Sequence, residues 1–183
     1  MFTEQDKQKI LSVKEQIRQR IQAFKKTPYY NPDLPWDKLF LTGGAICSLL
    51  NDEEPNDWDW YFKDYDTMRQ FQSHLVKCEL FIKDVDKKYG DFGVNGKMIT
   101  AKAITMDDNN SFITMVSGPP EQVKQSFDYV HCMPHYEWNL IGKVYISEKQ
   151  YFACTNKKLI VNNPSKVKAY RQEKFIKRGW KNE

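Results

Sequence analysis

Two short apolar runs, one ending at a glycine pair and the other carrying two carboxylates, constrain this chain more than any other feature. The first run ends at Gly43-Gly44, and the second contains Asp57 and Asp59. The order predicts a strand, a tight turn, a short helix and a second strand. Side chains two positions apart on a strand point to the same face, roughly 7 Å from each other. Asp57 and Asp59 could therefore bind one or two divalent metal ions together.

The glycine pair predicts a close approach of the backbone to an anion. Glycine has no Cβ, so it can end the first strand and leave the N–H groups at the start of the next helix accessible. Such N–H groups bind anions, and a triphosphate is one candidate. The phosphate site and the metal carboxylates would then lie within seventeen residues of each other in the sequence.

This arrangement resembles the nucleotidyltransferase superfamily, which includes DNA polymerase β, poly(A) polymerases and CCA-adding enzymes. The resemblance implies that Gly43, Gly44 and Ser48 contact the phosphates of a nucleoside triphosphate (NTP). It also implies that Asp57, Asp59 and a third carboxylate on a later strand bind two Mg²⁺ or Mn²⁺ ions. The implied reaction is an in-line displacement at the α-phosphate, in which the metals stabilise the attacking and leaving oxygens.

Asp128 is the strongest candidate for the third carboxylate. It lies alone between apolar residues in a short strand-like run, 126–132, with prolines on both sides of the run. Four other aspartates compete for the role: Asp84, Asp86, Asp107 and Asp108. The adjacent pair at 107–108 is better explained as part of a hairpin turn.

Two further segments, 112–132 and 171–180, resemble a group of phage and large-virus nucleotidyltransferase-like proteins. The group shares a strand, a proline-led turn and helix, and a Phe-Asp-aromatic strand that often ends in Cys. Together with the glycine and aspartate motifs, the similarity extends over most of residues 38–180.

The two ends of the chain are basic and its centre is acidic. The formal net charge is +4, but residues 1–26 carry seven Lys or Arg against three acids, and residues 164–183 carry seven against two. In the second segment, Arg171, Lys174 and Lys177 recur at near-helical spacing. Either end could bind a polyanion, such as nucleotide phosphates or an RNA backbone, or could form a solvated helix face.

Hydrophobic periodicity predicts an α+β or mixed α/β fold, and the resemblance implies a nucleotidyltransferase-like mixed sheet flanked by helices. Apolar residues at helical spacing predict an amphipathic basic helix within 1–26. A single domain is predicted over 27–183, with a basic helix at its end. That last helix is predicted to begin at Asn163-Pro164 and to end at Gly179.

The remaining sequence features argue against several other classes of protein. There is no apolar run near 18 residues and no signal-peptide pattern, so we expect a cytoplasmic protein without membrane contact, in the host cytoplasm if it is viral. The four cysteines are widely spaced, which predicts reduced thiols. His131, Cys132 and His135 lack a convincing fourth ligand for zinc. We expect a buried cysteine and a core histidine with satisfied hydrogen bonds instead.

Two functions remain open at this level. The first is a metal-dependent nucleotidyltransferase that moves a nucleoside monophosphate from an NTP to an RNA end, a protein hydroxyl or a small molecule. The second is a catalytically silent protein of the same fold and of viral origin that binds or inhibits a partner. The intact aspartate pair favours the first, because an unused group of acids costs stability through repulsion. The small size favours the second, and Cys47-Ser48, where CCA-adding enzymes commonly have Arg-Asp, leaves the substrate open.

Overall fold

The computed structural model describes residues 1–78, 93–94, 97–99, 102–139 and 141–183. Six α-helices lie in these ranges: α1 (Glu4–Phe24), α2 (Ala45–Leu50), α3 (Tyr65–Lys77), α4 (Pro120–Lys124), α5 (Glu148–Thr155) and α6 (Ala169–Ile176). Ten strands lie in them: β1 (Leu39–Leu41), β2 (Trp58–Phe62), β3 (Gly93–Val94), β4 (Lys97–Ile99), β5 (Ala103–Met106), β6 (Asn110–Ser117), β7 (His135–Glu137), β8 (Val144–Tyr145), β9 (Lys158–Leu159) and β10 (Lys181–Asn182). Among the helices described, none has the length and apolar character needed to span a membrane. The sequence also predicts a strand over residues 79–85, which lie outside the described residues.

Eight strands form one mixed sheet in the order β3-β4-β5-β6-β2-β1-β7-β8. β2 runs parallel to β6, whereas the other neighbouring pairs in this sheet are antiparallel. β9 and β10 form a separate parallel pair. This combination of a mixed sheet with helices confirms the predicted fold class, and it places β2 in the interior of the sheet.

The orientation of β2 is set by alternating burial along the strand. Trp58, Trp60 and Phe62 are buried on one face. Asp59 and Tyr61 are only partly buried and point to the other face, because successive side chains of a strand alternate. A slip of one residue in register would bring the aromatic rings to the other face, so burial of these rings fixes where Asp59 points.

Helix α1 packs on the aromatic face of the sheet. Four apolar side chains along one side of this helix are buried in the same core as the sheet: Val13, Ile17, Ile21 and Phe24. The Phe24 ring lies 5.4 Å from Trp36 and 5.7 Å from Phe112, measured between ring centroids. The predicted amphipathic helix is therefore confirmed, while the division of the chain into 1–26 and 27–183 stays a prediction.

Two details of the predicted secondary structure were wrong. Asp128 lies in a loop and not in a strand, because its backbone carbonyl accepts hydrogen bonds from the N–H groups of Asn162 and Asn163, at 2.7 and 3.2 Å. The C-terminal helix begins at Ala169, later than predicted, because Asn163 caps a separate 3-10 turn, Pro164–Lys166.

Candidate active site

A cleft of about 460 Å³ opens beside the first residues of β2, where Asp59 lies. Most of the residues that the sequence singled out line this cleft: Gly43, Gly44, Ser48, Asp57, Asp59, Asp128, Arg171 and Lys174. Lys177 is a predicted nucleotide-binding residue that does not line the cleft. The fold thus brings the glycine pair, the aspartate pair and part of the basic C-terminal segment to one place.

The carboxylates of the aspartate pair face the cleft. Within the described residues, no hydrogen bond or ion pair involves the carboxylate of Asp57 or Asp59. Burial raises the pKa of Asp59 to about 6, the charge of Asp57 adds to this rise, and the positive charge of Arg171 opposes it. Two carboxylates that repel each other and lack a bonded counter-charge suit a divalent cation that prefers oxygen ligands.

The ligand set that the described residues offer to a metal is small. No group of three or more His, Cys, Asp or Glu side chains in the described ranges could hold a metal ion. Asp57 and Asp59 would supply two carboxylates, and water or substrate phosphate would complete the coordination. Mg²⁺ is often bound in this way, through one or two carboxylates together with substrate phosphates. The pair therefore fits the Mg²⁺ or Mn²⁺ that the sequence resemblance implies.

The two glycines of the pair have different structural roles. Gly43 has a φ angle of +96°, and a Cβ at this position would lie 3.2 Å from Oδ2 of Asp59. Its N–H donates to the carbonyl of Cys132 at 3.0 Å, so this group is already engaged. Gly44 has an ordinary φ of −79°, and a Cβ there would meet no atom within 4 Å. Gly43 is thus required by the backbone and by Asp59, whereas Gly44 leaves open space in the cleft.

Asp128 reaches the cleft, but its carboxylate has partners. Nε of Arg171 donates to Oδ2, Nη2 of Arg171 lies 3.4 Å from Oδ1, and the N–H of Tyr129 donates to Oδ1 at 3.0 Å. Its role as the third metal ligand stays a prediction.

The positions of the other candidate aspartates do not identify the third metal-binding carboxylate. Asp84 and Asp86 lie outside the described residues. Asp108 accepts the N–H of Asn110 at 3.1 Å in the turn between β5 and β6, which confirms the hairpin turn predicted there. β6, the strand that runs parallel beside β2, contains no acidic residue.

A basic wall, formed by Lys166, Lys168, Arg171, Lys174 and Arg178, lines the cleft together with the aspartates. Helix α6 and the segments on either side of it supply these cations. The predicted site did not include Lys166 and Lys168, although Lys168 lies three residues before Arg171 and continues the spacing of Arg171, Lys174 and Lys177. It also omitted Tyr61, which lines the cleft two positions after Asp59 and on the same face of β2. The alternation that grouped Asp57 with Asp59 also points to Tyr61.

Of the residues considered for zinc, Cys132 lines the cleft, whereas His131 and His135 do not. Cys132 is buried as predicted. His131 is also buried, but neither of its ring nitrogens has a hydrogen-bond partner among the described residues, so the expected hydrogen bonds of a core histidine occur at His135 and not at His131. Nδ1 of His135 lies 3.0 Å from Nζ of the buried Lys124.

Two solved structures with a similar fold are CCA-adding enzymes of much greater length. The Thermotoga maritima CCA-adding enzyme complexed with tRNA matches with a TM-score of 0.52 and 11% identity, over 85% of this chain and 40% of that chain. A CCA-adding enzyme in complex with CTP matches with a TM-score of 0.53 and 12% identity, over 90% of this chain and 41% of that one. At these identities the similarity shows a shared nucleotidyltransferase fold, and the chain spans about two fifths of each of these proteins.

No curated protein matches this chain in sequence. The model of one protein family does match it, over residues 6–158, which is most of the chain. The chain belongs to the Gabija anti-defense 2 family.

Proposed function

We propose that the protein binds an NTP with Mg²⁺ or Mn²⁺ in this cleft, transfers a nucleoside monophosphate to an acceptor, and thereby counteracts the defence for which its family is named. One observation carries the proposal: an aspartate pair whose carboxylates have no hydrogen bond or ion pair within the described residues lines the same cleft as a wall of five cations. A metal–triphosphate complex matches this arrangement, since its metal would bind the carboxylates and its phosphates would contact the cations. The family name and the solved neighbours that contain tRNA and CTP support this proposal.

Different residues of the cleft would bind the metal ion and the phosphates. Asp57 and Asp59 would hold the metal ion, which when bound neutralises charge on the phosphate oxygens. Arg171 and Lys174 would bind the remaining phosphate charge and hold the α-phosphate in line with the acceptor hydroxyl, whose oxygen displaces pyrophosphate while its proton passes to water. The acceptor would be an RNA end, a protein hydroxyl or a small molecule. Because protons compete with metal ions for Asp59, we expect metal binding to weaken as the pH falls towards about 6.

A second function, inhibition without catalysis, is favoured by a specific observation. β6 contributes no acid beside Asp59, and the carboxylate of Asp128 is bonded to Arg171. A protein with only two metal carboxylates could bind a nucleotide and withhold it, or dock on a partner of the defence, without transferring anything.

A transfer assay separates the two functions. ATP, CTP, GTP and UTP, each labelled at the α-phosphate, would be incubated with the protein and Mg²⁺ or Mn²⁺, in the presence of total RNA and of lysate protein. We expect the label to appear on one acceptor class with the unmodified protein and not with Asp59→Asn. NTP binding without any transfer of label would favour the silent inhibitor.

The Gly44→Val variant tests whether the cleft binds phosphate close to the backbone. Because a Cβ at Gly44 meets no atom within 4 Å, we expect the free energy of unfolding to change by less than about 1 kcal/mol. The valine side chain would project into the space proposed for the phosphates, and NTP affinity measured by calorimetry should fall at least about tenfold. Gly43→Val is the contrasting variant, since its positive φ and its contact with Asp59 should destabilise the fold itself. Unchanged NTP affinity in Gly44→Val would mean that the glycine pair only forms a turn.

Lys174→Ala and Lys177→Ala form a matched pair on the same basic segment. Lys174 lines the cleft and Lys177 does not. A charge-assisted contact to phosphate contributes about 1.5–3 kcal/mol when partly desolvated, so Lys174→Ala should weaken NTP binding clearly. Lys177→Ala removes the same charge three residues away and should have little effect on calorimetric affinity. Equal losses for the two variants would show that only the overall charge of the segment matters.

A further inference from the structure

Arg171 has an unusual position, because it is held by protein groups and yet faces the cleft. Its side chain keeps 40% of its surface exposed, whereas the side chain of its partner Asp128 keeps 6%. Its guanidinium also lies 5.5 Å from the centroid of the Phe175 ring, one helical turn further along α6. Nη2 contacts Sγ of Cys132 at 3.8 Å. Within the described residues, no hydrogen bond uses Nη1, so this edge of the guanidinium has donors to spare.

Asp128 is fixed more firmly than Arg171. Its carboxylate accepts from two nitrogens of Arg171 and from the N–H of Tyr129. Its backbone carbonyl accepts from the N–H groups of Asn162 and Asn163. Three of the roughly four lone pairs of this carboxylate are therefore engaged by protein groups. The carboxylates of Asp57 and Asp59 have no such bonds in the described part of the chain.

We infer that Asp128 is a positioning residue for Arg171 and that Asp57 and Asp59 are the metal-binding carboxylates. Asp128 and Phe175 hold the guanidinium in one orientation, with its remaining donors available to a phosphate of the substrate. An arginine already fixed in its bound orientation loses less freedom when an oxyanion binds, so affinity for the anion rises. The inference rests on the proposed nucleotide binding, and it assigns Asp128 to the phosphate side of the site and not to the metal side.

Two calorimetric titrations with separate probes test the inference. Mn²⁺ alone reports the metal site, and inorganic tripolyphosphate alone reports the basic wall. The variants are Asp128→Asn, Arg171→Gln, the double variant of both, and Asp59→Asn. We expect Asp128→Asn to leave Mn²⁺ affinity within twofold and to weaken tripolyphosphate binding at least fivefold, because asparagine cannot accept from both guanidinium nitrogens. Asp59→Asn should abolish Mn²⁺ binding.

The double variant shows whether Asp128 acts through Arg171. In the Arg171→Gln background, adding Asp128→Asn should change tripolyphosphate affinity by less than twofold, although it weakens binding when Arg171 is present. A merely structural role of Asp128 would lower affinity in both backgrounds. Simple charge repulsion predicts the opposite sign, because removing a negative charge near an anion site should tighten binding. Tighter or unchanged tripolyphosphate binding by Asp128→Asn, or a loss of Mn²⁺ binding, would overturn the inference.

Arg171→Lys keeps the test decisive if Asp128→Asn fails to fold. Lysine keeps the positive charge but not the planar fork that Asp128 holds, so we expect weaker tripolyphosphate binding and unchanged Mn²⁺ affinity. Tripolyphosphate affinity equal to that of the unmodified protein would overturn the inference. If the unmodified protein binds neither Mn²⁺ nor tripolyphosphate, the proposed function fails as well. If it binds both and only the Asp128 and Arg171 variants behave otherwise than expected, the proposed function stands and the inference alone is rejected.

Discussion

Asp59→Asn is expected to stabilise the metal-free protein above pH 6 and to abolish nucleotidyl transfer. The folded state raises the pKa of Asp59 from its ordinary value of 3.8 to about 6. Between these values the folded state binds more protons than the unfolded state, so the free energy of unfolding falls as the pH rises. The full cost of the ionised carboxylate is present above about pH 6 and corresponds to at most roughly 3 kcal/mol. Asparagine cannot ionise, so the variant is free of this cost.

Chemical unfolding in the presence of EDTA measures this effect. The stability of Asp59→Asn relative to the unmodified protein should be greatest above pH 6 and should shrink towards zero as the pH approaches 3.8. Asp33→Asn, at an exposed aspartate, is the control and should stay within about 0.5 kcal/mol of the unmodified protein. In separate samples without EDTA, Mg²⁺ should stabilise the unmodified protein and not Asp59→Asn, because a ligand that binds only the folded state raises the free energy of unfolding. A destabilised Asp59→Asn would contradict the prediction that the carboxylate is strained by burial and repulsion.

The parts of the site that follow local rules could be predicted from the sequence. β1, α2 and β2 follow one another along the chain, and the two-residue alternation of β2 determines that Asp59 faces away from Trp58 and Trp60. The periodicity of α1 likewise predicted the buried face of that helix. Such patterns depend on neighbouring residues, and burial of the apolar side then selects the orientation.

The parts that depend on distant contacts could not be predicted. Asp128 and Arg171 are 43 residues apart, and nothing near either residue indicates that they bond to each other. The sequence suggested a metal ligand at Asp128 because the acid is flanked by apolar residues, but the same flanks also suit a buried ion pair. Similarly, the sequence could not distinguish Gly43 from Gly44, because only the folded chain brings the Asp59 side chain against Gly43.

His131→Phe is expected to reduce the loss of stability in acid, with an effect larger than that of Asp59→Asn. The imidazole is 1% exposed and packs against three aromatic rings, and neither nitrogen has a partner in the described part of the chain. The nearest of these rings is Trp180, at 4.0 Å between centroids, followed by Phe175 at 4.7 Å. Burial lowers the pKa of His131 from 6.5 to about 3, and the charge of Arg171 acts in the same direction. Phenylalanine keeps an aromatic ring in this cluster without a titrating group.

His131 and Asp59 change the free energy of unfolding with pH in opposite directions. The unfolded state takes up a proton near pH 6.5 and the folded state only near pH 3, so stability is lost as the pH falls between these values. The full loss corresponds to roughly 5 kcal/mol at pH 3. Because acid relieves Asp59 while it penalises His131, the pH profile of the unmodified protein mixes both effects. The difference between the profiles of His131→Phe and the unmodified protein isolates the histidine.

Chemical unfolding between pH 3 and 7 gives this difference profile. The stability of His131→Phe relative to the unmodified protein should rise steadily as the pH falls below 6.5. His135→Gln is a graded control, since burial and Lys124 lower the pKa of His135 to about 4, and glutamine can still accept from Lys124. Its relative stability should rise in the same direction but by a smaller amount, because its pKa is shifted less. A difference profile for His131→Phe that stays flat over this range would show that the imidazole finds a hydrogen-bond partner or water in solution, and that its burial does not oppose protonation.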